Sequence, residues 1–148
     1  MRAIVQRVSC AEVRVGGRAT GTIGRGFAVL LGVTHGDTEA DADYLADRIA
    51  GMRVFADAAG KMNLALAAAG GAALVVSQFT LYADISQRRP SFVAAAAPAP
   101  ARQLYACFIS RLRARDVTVE TGEFGAQMEL TLTNDGPVTI ILDSRDRR

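Results

Sequence analysis

The sequence predicts a mixed α/β fold: one compact single domain over residues 1–148, layered as sheet, sheet and helix. Three observations carry that reading. Apolar residues alternate with period two through several long stretches, as in strands with one covered face. Only two stretches carry helical spacing. The length, 148 residues, fits one domain, since a domain takes roughly 100–200 residues. Two helices cover one face of a sheet but not both, so a set of about seven strands must close the other face with a second layer of sheet.

Ile4, Gln6 and Val8 alternate with Ala3, Val5 and Arg7, and Ala11, Val13 and Val15 with Glu12 and Arg14; both stretches read as strand. Gly16-Gly17 turns the chain. Phe27-Ala28-Val29-Leu30-Leu31 is apolar throughout between glycines, which suits a strand covered on both faces. Asp37-Thr38 opens a helix, with Glu39 and Asp41 in the first turn where the helix dipole favours acids. Leu45, Ile49 and Met52 give it a buried stripe, and the face with Asp41, Asp43 and Asp47 is expected in solvent.

Asp57 to Gly60 is a turn, Lys61 to Leu66 is short and fits more than one assignment, and Gly70-Gly71 precede a central strand, Ala72 to Val76. A loop from Ala83 to Pro90 and an alanine-rich stretch lead to Pro98 and Pro100, which suit the start of the second helix. Leu104, Cys107, Phe108 and Leu112 follow at helical spacing. Met128, Leu130 and Leu132 alternate with Glu129, Thr131 and Thr133, and Val138 to Leu142 is a last apolar run. Asp135-Gly136 between these two strands reads as a hairpin turn.

Composition narrows the function classes. A net charge of +2 is too small to announce a nucleic-acid binder by bulk electrostatics. Two arginine clusters, Arg88-Arg89 and Arg145, Arg147 and Arg148, are suited to phosphate, with solvated surface charge the alternative for the tail. No apolar run approaches the ~18 residues that span a bilayer, and Met1 to Arg7 lacks the apolar core of a signal peptide. Cys10 and Cys107 are expected as buried free thiols in a reducing cytoplasm. With one histidine and no paired cysteines no metal site is expected. No cofactor is expected either, because Gly21, Gly24 and Gly26 lead into a strand, unlike a phosphate-binding loop.

Ser77-Gln78-Phe79-Thr80-Leu81-Tyr82 stands out, because an apolar strand ends in two hydroxyls, an amide and aromatic rings. A strand with alternating faces is the plain reading; a rigid element presenting chemistry is the other. A serine or threonine nucleophile needs a base within reach. His35 lies in a turn before a helix, and nothing in the sequence brings it to Thr80. An enzyme built on this motif would use backbone donors for an oxyanion and a helper group in the substrate. In Gly136-Pro137 the proline removes a donor just as a strand begins. That suits either an edge strand or a fixed loop with outward carbonyls, which a cis bond would also give.

Several segments match one family in order: Val5-Gln6-Arg7-Val8, Gly60-Lys61-Met62-Asn63, Val76 to Asp84, Arg89-Pro90-Ser91-Phe92, Thr121 to Met128 and Asn134 to Thr139. On these the chain resembles the D-aminoacyl-tRNA deacylases along essentially its full length. The basic loop departs from the pattern, with Ser86-Gln87-Arg88 where a lysine-glycine pair is common.

The resemblance implies a deacylase-like fold and a cytoplasmic homodimer acting on aminoacyl-tRNA, with no membrane attachment. It implies hydrolysis of the ester between a D-amino acid, or mischarged glycine, and the terminal adenosine. By the same match Ser77, Gln78, Phe79 and Thr80 form the catalytic segment, with Phe79 and Thr80 N–H groups holding the oxyanion and the ribose 2′-OH assisting water. Thr80 as a covalent nucleophile is the competing reading. Gly136 and Pro137 would be a cis-peptide motif reaching into the partner's pocket, Arg7 would brace it, and Phe124 and Met128 would line the amino-acid and adenosine ends. Ordinary core packing is the alternative for Phe124 and Met128. Two other classes stay open at this point: a nucleic-acid-binding module without catalysis, and a hydrolase of small esters.

Overall fold

The computed structural model describes residues 1–147. The chain runs β1 (Arg2–Val15), β2 (Arg18–Ile23), β3 (Gly26–Gly32), α1 (Glu39–Ala50), β4 (Phe55–Ala56), β5 (Met62–Leu64), β6 (Ala72–Ser77), α2 (Pro98–Arg113), β7 (Thr118–Thr121) and β8 (Glu129–Asp143). Short 3-10 turns at Phe79–Tyr82 and Ser144–Asp146 complete it. The main sheet has the order β2-β1-β3-β6-β7, with β8 also on β1. β3, β6 and β7 are parallel neighbours, joined by crossovers that carry α1 and α2. β4 and β5 form a separate small hairpin.

β1 changes partners along its length. Arg2 to Val8 pairs with β3 on one edge, Ala11 to Val15 pairs with β2 on that side, and β8 follows both halves on the other. The register shift at Val8/Cys10 is a bulge in β1, which bends a strand and increases its twist, while the shift at Gln6/Val8 comes from residues looped out of β8. Ala3 and Val5 therefore belong to the core under the helices, whereas Val8, Ala11 and Val13 belong to a second core on the opposite face. There β2 closes over β6 and β7. A Cβ on Gly21 would lie 2.7 Å from the Thr121 carbonyl oxygen and 2.9 Å from a Leu74 methyl, so only glycine permits that approach. The second layer expected from the sequence is thus the same sheet curled back on itself, nearly closed.

Phe27, Val29 and Leu31 of β3 pack under Leu45, Ile49, Phe108 and Leu112 of the helices, while Ala28 faces Leu74 and Val76 in the second core. The continuous apolar run of β3 is covered on both faces, as its sequence predicts. Thr38 caps α1: its N–H and hydroxyl both donate to Asp41 Oδ2, each at 2.8 Å.

Four expectations need correction. The acids of α1 do not simply face solvent, because Arg115 reaches Asp43 at 3.0 Å and Asp47 at 3.4 Å, and Arg111 reaches Glu39 at 3.5 Å. Acids and arginines spaced one helical turn apart on neighbouring parallel helices come into register. Cys10 is exposed and Cys107 half-buried, since the bulge after Val8 turns both Ser9 and Cys10 outward. Asp135-Gly136 is not a hairpin: β8 keeps its direction, and residues 135–138 loop out opposite Arg7. Arg147 pairs with Asp41 at 2.7 Å and lies over the Tyr44 ring, docked on α1; Arg148 lies outside the described residues. Among the described residues no helix is long and apolar enough to cross a membrane.

Burial opposes ionisation of Asp41, but the Thr38 hydroxyl and N–H, Ser144 and Arg147 outweigh it and hold the carboxyl down at about 2. Its unfolded value is about 3.9, so its contribution is complete above about pH 4 and is lost as pH falls towards 2. Asp41→Asn is expected to cost about 1 kcal/mol at neutral pH, the size of a lost helix cap. It should also flatten the stability profile between roughly pH 4 and 2, measured by urea unfolding across pH.

Candidate active site

Parallel strands deliver their carboxyl ends to one side, where an open α/β sheet leaves a crevice. β3 and β6 do so at Leu31 and Ser77, which are register partners. Gln78 N–H donates to the Leu31 carbonyl at 2.8 Å, and the chain then turns into the Phe79–Tyr82 3-10 segment instead of continuing as a strand. Gly32 makes room for the turn. A Cβ there would stand 3.0 Å from Gln78 O, 3.1 Å from Leu81 Cβ and 3.2 Å from Tyr82 Cε2. Arg2 secures the far end, donating to Leu81 O at 3.0 Å with its guanidinium over the buried Tyr82 ring.

The first N–H groups of a helical turn have no partner within it. Leu81 N–H returns to Gln78 O and Ala83 N–H to Thr80 O, but the Phe79 and Thr80 N–H groups have no acceptor among the described residues. The Gln78 side-chain amide donates to Thr80 Oγ1, which fixes both side chains.

A cleft of about 650 Å³ opens beside this turn. Ser77, Gln78 and Phe79 line it, together with Phe124, Met128 and Tyr105 from α2. Phe79 meets Phe92 edge-on at 5.1 Å, and Phe124 meets Tyr105 at 5.6 Å. Tyr105 OH donates to the Val75 carbonyl at 2.8 Å, and burial pushes the phenol up to about 12. Among the described residues no charged side chain lines the cleft. His35 does not reach it; its Nε2 lies 2.8 Å from the exposed Val93 carbonyl. No three His, Cys, Asp or Glu side chains are grouped as a metal site among the described residues.

The Gly136-Pro137 loop lies elsewhere. Its peptide bond is cis and both residues are exposed. Asn134 Nδ2 ties the loop's base, donating to Arg7 O at 2.9 Å and Val138 O at 3.0 Å. Arg7 Nε donates to Asp135 O at 3.2 Å and faces the Asp135 carboxylate at the same distance. Arg7 is paired with Phe27, four residues before Leu31 on β3. Leu30, which also lines the cleft, is three residues on from Phe27, an offset of about 10 Å along the strand.

Of the residues singled out in the sequence, the fold gathers Ser77, Gln78, Phe79, Phe124 and Met128 around the cleft, with Thr80 held through Gln78. Arg7, Gly136 and Pro137 form a second group that does not line it. Tyr105 and Phe92 also belong to the cleft and were not singled out. Tyr105 follows Leu104 in an amphipathic helix and reads as core; Phe92 sits in a matching segment that names no chemistry.

Tyr105→Phe removes a buried donor and keeps the ring, so a loss of about 1 kcal/mol is expected. The phenol's folded pKa, about 12, exceeds its ordinary 10.0, so the neutral form favours the fold below pH 10 and that advantage fades as pH rises towards 12. Urea unfolding from pH 8 upward should show an alkaline decline that is shallower in the variant.

Comparison with known proteins bears on both the fold and the cleft. The family model described as D-Tyr-tRNA(Tyr) deacylase matches residues 4–143. The D-aminoacyl-tRNA deacylase of Thermus aquaticus is 58% identical over 148 residues, covering 99% of this chain and 97% of that protein. That of Symbiobacterium thermophilum is 58% identical over 145 residues, covering 97% and 96%. Among solved structures, the c-Myc DNA unwinding element binding protein aligns with a TM-score of 0.90 at 38% identity, covering 97% of this chain and 98% of that one. A probable eukaryotic D-amino acid tRNA deacylase aligns with a TM-score of 0.82 at 17% identity, covering 96% and 98%, a likeness of fold alone. With a family model spanning nearly the whole chain and full-length relatives at this identity, the chain belongs to the D-Tyr-tRNA(Tyr) deacylase family.

Proposed function

We propose that the chain hydrolyses the ester joining a D-amino acid, or mischarged glycine, to the terminal adenosine of tRNA, a chiral proofreading step in the cytoplasm. The observation that carries this reading is an uncharged cleft beside two unpartnered backbone N–H groups at Phe79 and Thr80. Water adding to an ester carbonyl places negative charge on its oxygen. Fixed N–H donors aimed at that oxygen act from the moment charge develops, and one such donor is worth about 3 kcal/mol of barrier.

Among the described residues the walls offer no histidine or carboxylate as a base, so the substrate's own ribose 2′-OH relays the proton, taking one from the attacking water as it passes its own to the ribose 3′ oxygen. The tetrahedral intermediate collapses, the bond between the carbonyl carbon and the ribose 3′ oxygen breaks, and that oxygen leaves with the proton. Ser77 and Gln78 hold the turn in place, Thr80 accepts the Gln78 amide rather than acting as nucleophile, and Phe124 and Met128 line the amino-acid and adenosine ends.

Selection works by exclusion in a homodimer. The Gly136-Pro137 loop of one subunit enters the cleft of the other, where its carbonyls meet the substrate's α-amino group and its backbone occupies the space an L side chain would need. The support is threefold. The loop is held firmly by Arg7 and Asn134, yet Gly136 and Pro137 at its tip are exposed. It stands well away from its own cleft. Ile141 on the free edge of β8 and Phe79 at the cleft mouth are 68% and 57% exposed, apolar surface that a symmetric partner would cover. A module that only binds nucleic acid, suggested by the name of the c-Myc element binding protein, accounts less well for the cleft, because phosphate is met by cations and none lines it.

Matched D- and L-aminoacyl-tRNA, followed for ester loss, tests the reading. Loss of the D form alone is expected; binding without turnover supports a binding module, and no interaction with either supports a small-ester hydrolase. Thr80→Ala should keep substantial deacylation, and a folded variant that still binds substrate but is dead would overturn the backbone-driven mechanism. Arg7→Lys keeps the charge and loses the planar fork. Its expected effect is a rise of about ten-fold in L relative to D turnover, the scale of one charge-assisted hydrogen bond. An unchanged ratio would remove the loop from selectivity.

A further inference from the structure

The described residues that line the cleft are uncharged, yet a tRNA terminus brings a phosphate with it. The 5′-phosphate of the terminal adenosine must therefore be met at the rim. Arg102 stands there. It follows Ala101, a cleft-lining residue of α2, and its guanidinium lies 4.8 Å from the centroid of the Phe124 ring. Tyr105, one turn further along, holds the same ring, so the ring's position is set from within the core.

No ion pair among the described residues accounts for a cation at that point. Arg102 is exposed and has no carboxylate partner among the described residues; Glu123, beside Phe124 in sequence, pairs with Arg18 at 3.5 Å instead. Arg102 also lies towards the N-terminal end of α2, the end of the helix dipole that favours anions over cations. The arginines that do serve the fold, Arg111 and Arg115, sit at the opposite end of α2 and are paired with α1. A ring face orients a guanidinium while leaving its N–H donors free for a further acceptor.

We infer that Arg102 is a specificity-determining contact for the phosphate joining the last two nucleotides of the tRNA, distinguishing polynucleotide esters from free aminoacyl-nucleosides. This rests on the deacylase reading of the cleft. With the ester at the Phe79–Thr80 turn, the amino acid against Phe124 and the adenosine against Met128, the phosphate leaves the cleft at its rim, where Arg102 stands.

The test compares D-tyrosyl-tRNA with 3′-O-D-tyrosyl-adenosine, which carries the same ester and no phosphate. For Arg102→Gln we expect KM for the tRNA ester to rise about ten-fold with kcat within two-fold, the loss of one charge-assisted contact. The slope of log(kcat/KM) against log salt should fall by about 0.7, one phosphate's share on a single strand. The adenosine ester should be hydrolysed as by wild type. Arg102→Lys, which keeps a charge and loses the fork, should recover part of the KM. Arg48→Gln, a charge removed near the far end of the helix layer, should leave the salt slope unchanged. Equal losses on both substrates would make Arg102 a prop for Phe124 and overturn the phosphate contact, as would no loss on either. If wild type hydrolyses neither ester, the deacylase reading itself falls; turnover of both, with Arg102→Gln matching wild type, removes only this contact.

Discussion

β1 is hydrogen-bonded along both edges, and the identity of its neighbours changes halfway along: β3 and β8 flank its first half, β2 and β8 its second. Because backbone N–H and C=O groups cannot be buried unpaired without cost, a strand in that position must be completed on both sides over its whole length. The bulge after Val8 lets it serve two halves of one sheet that face different cores. Everything functional follows from that bend. It brings β8 beside Arg7, where the Gly136-Pro137 loop leaves the sheet, and it leaves β3 free to pair in parallel with β6 and open the cleft at their common end.

Much of this was legible in the sequence wherever a local rule and the tertiary environment agree. Thr38 and Asp41 announce the start of α1, Pro98 announces α2, and the unbroken apolar run of β3 announces a strand buried on both faces. The failures share a cause. Asp135-Gly136 has hairpin chemistry, but β8 finds the same partner strand on both sides of the loop, and eleven pairs with β1 outweigh two turn residues. Cys10 sits where period-two counting would bury one of two neighbours, and a bulge shifts the count. The acids of α1 looked solvated because their partners, Arg111 and Arg115, are about seventy residues away and invisible to any local pattern.

The cleft divides the same way. Ser77 to Thr80 was conspicuous because a strand ended in polar groups, but its unpartnered N–H groups, at Phe79 and Thr80, carry no residue-specific signal. Phe124 and Met128 emerged from a match of segments, not from their own character. Tyr105 stayed hidden since a buried tyrosine in an amphipathic helix resembles core until its hydroxyl is seen on the Val75 carbonyl.

Gly32 shows what such a site asks of evolution. Its backbone is ordinary, so the demand is for space alone, the space into which the 3-10 turn settles. When backbone atoms do the work, sensitivity to mutation moves away from the groups nearest the reacting bond and onto the neighbours that shape the main chain. A survey of inactivating substitutions would then rank a chemically inert glycine above the threonine that looks like the nucleophile. Drift in the side chains of the turn would be tolerated so long as the strand behind it stayed bare.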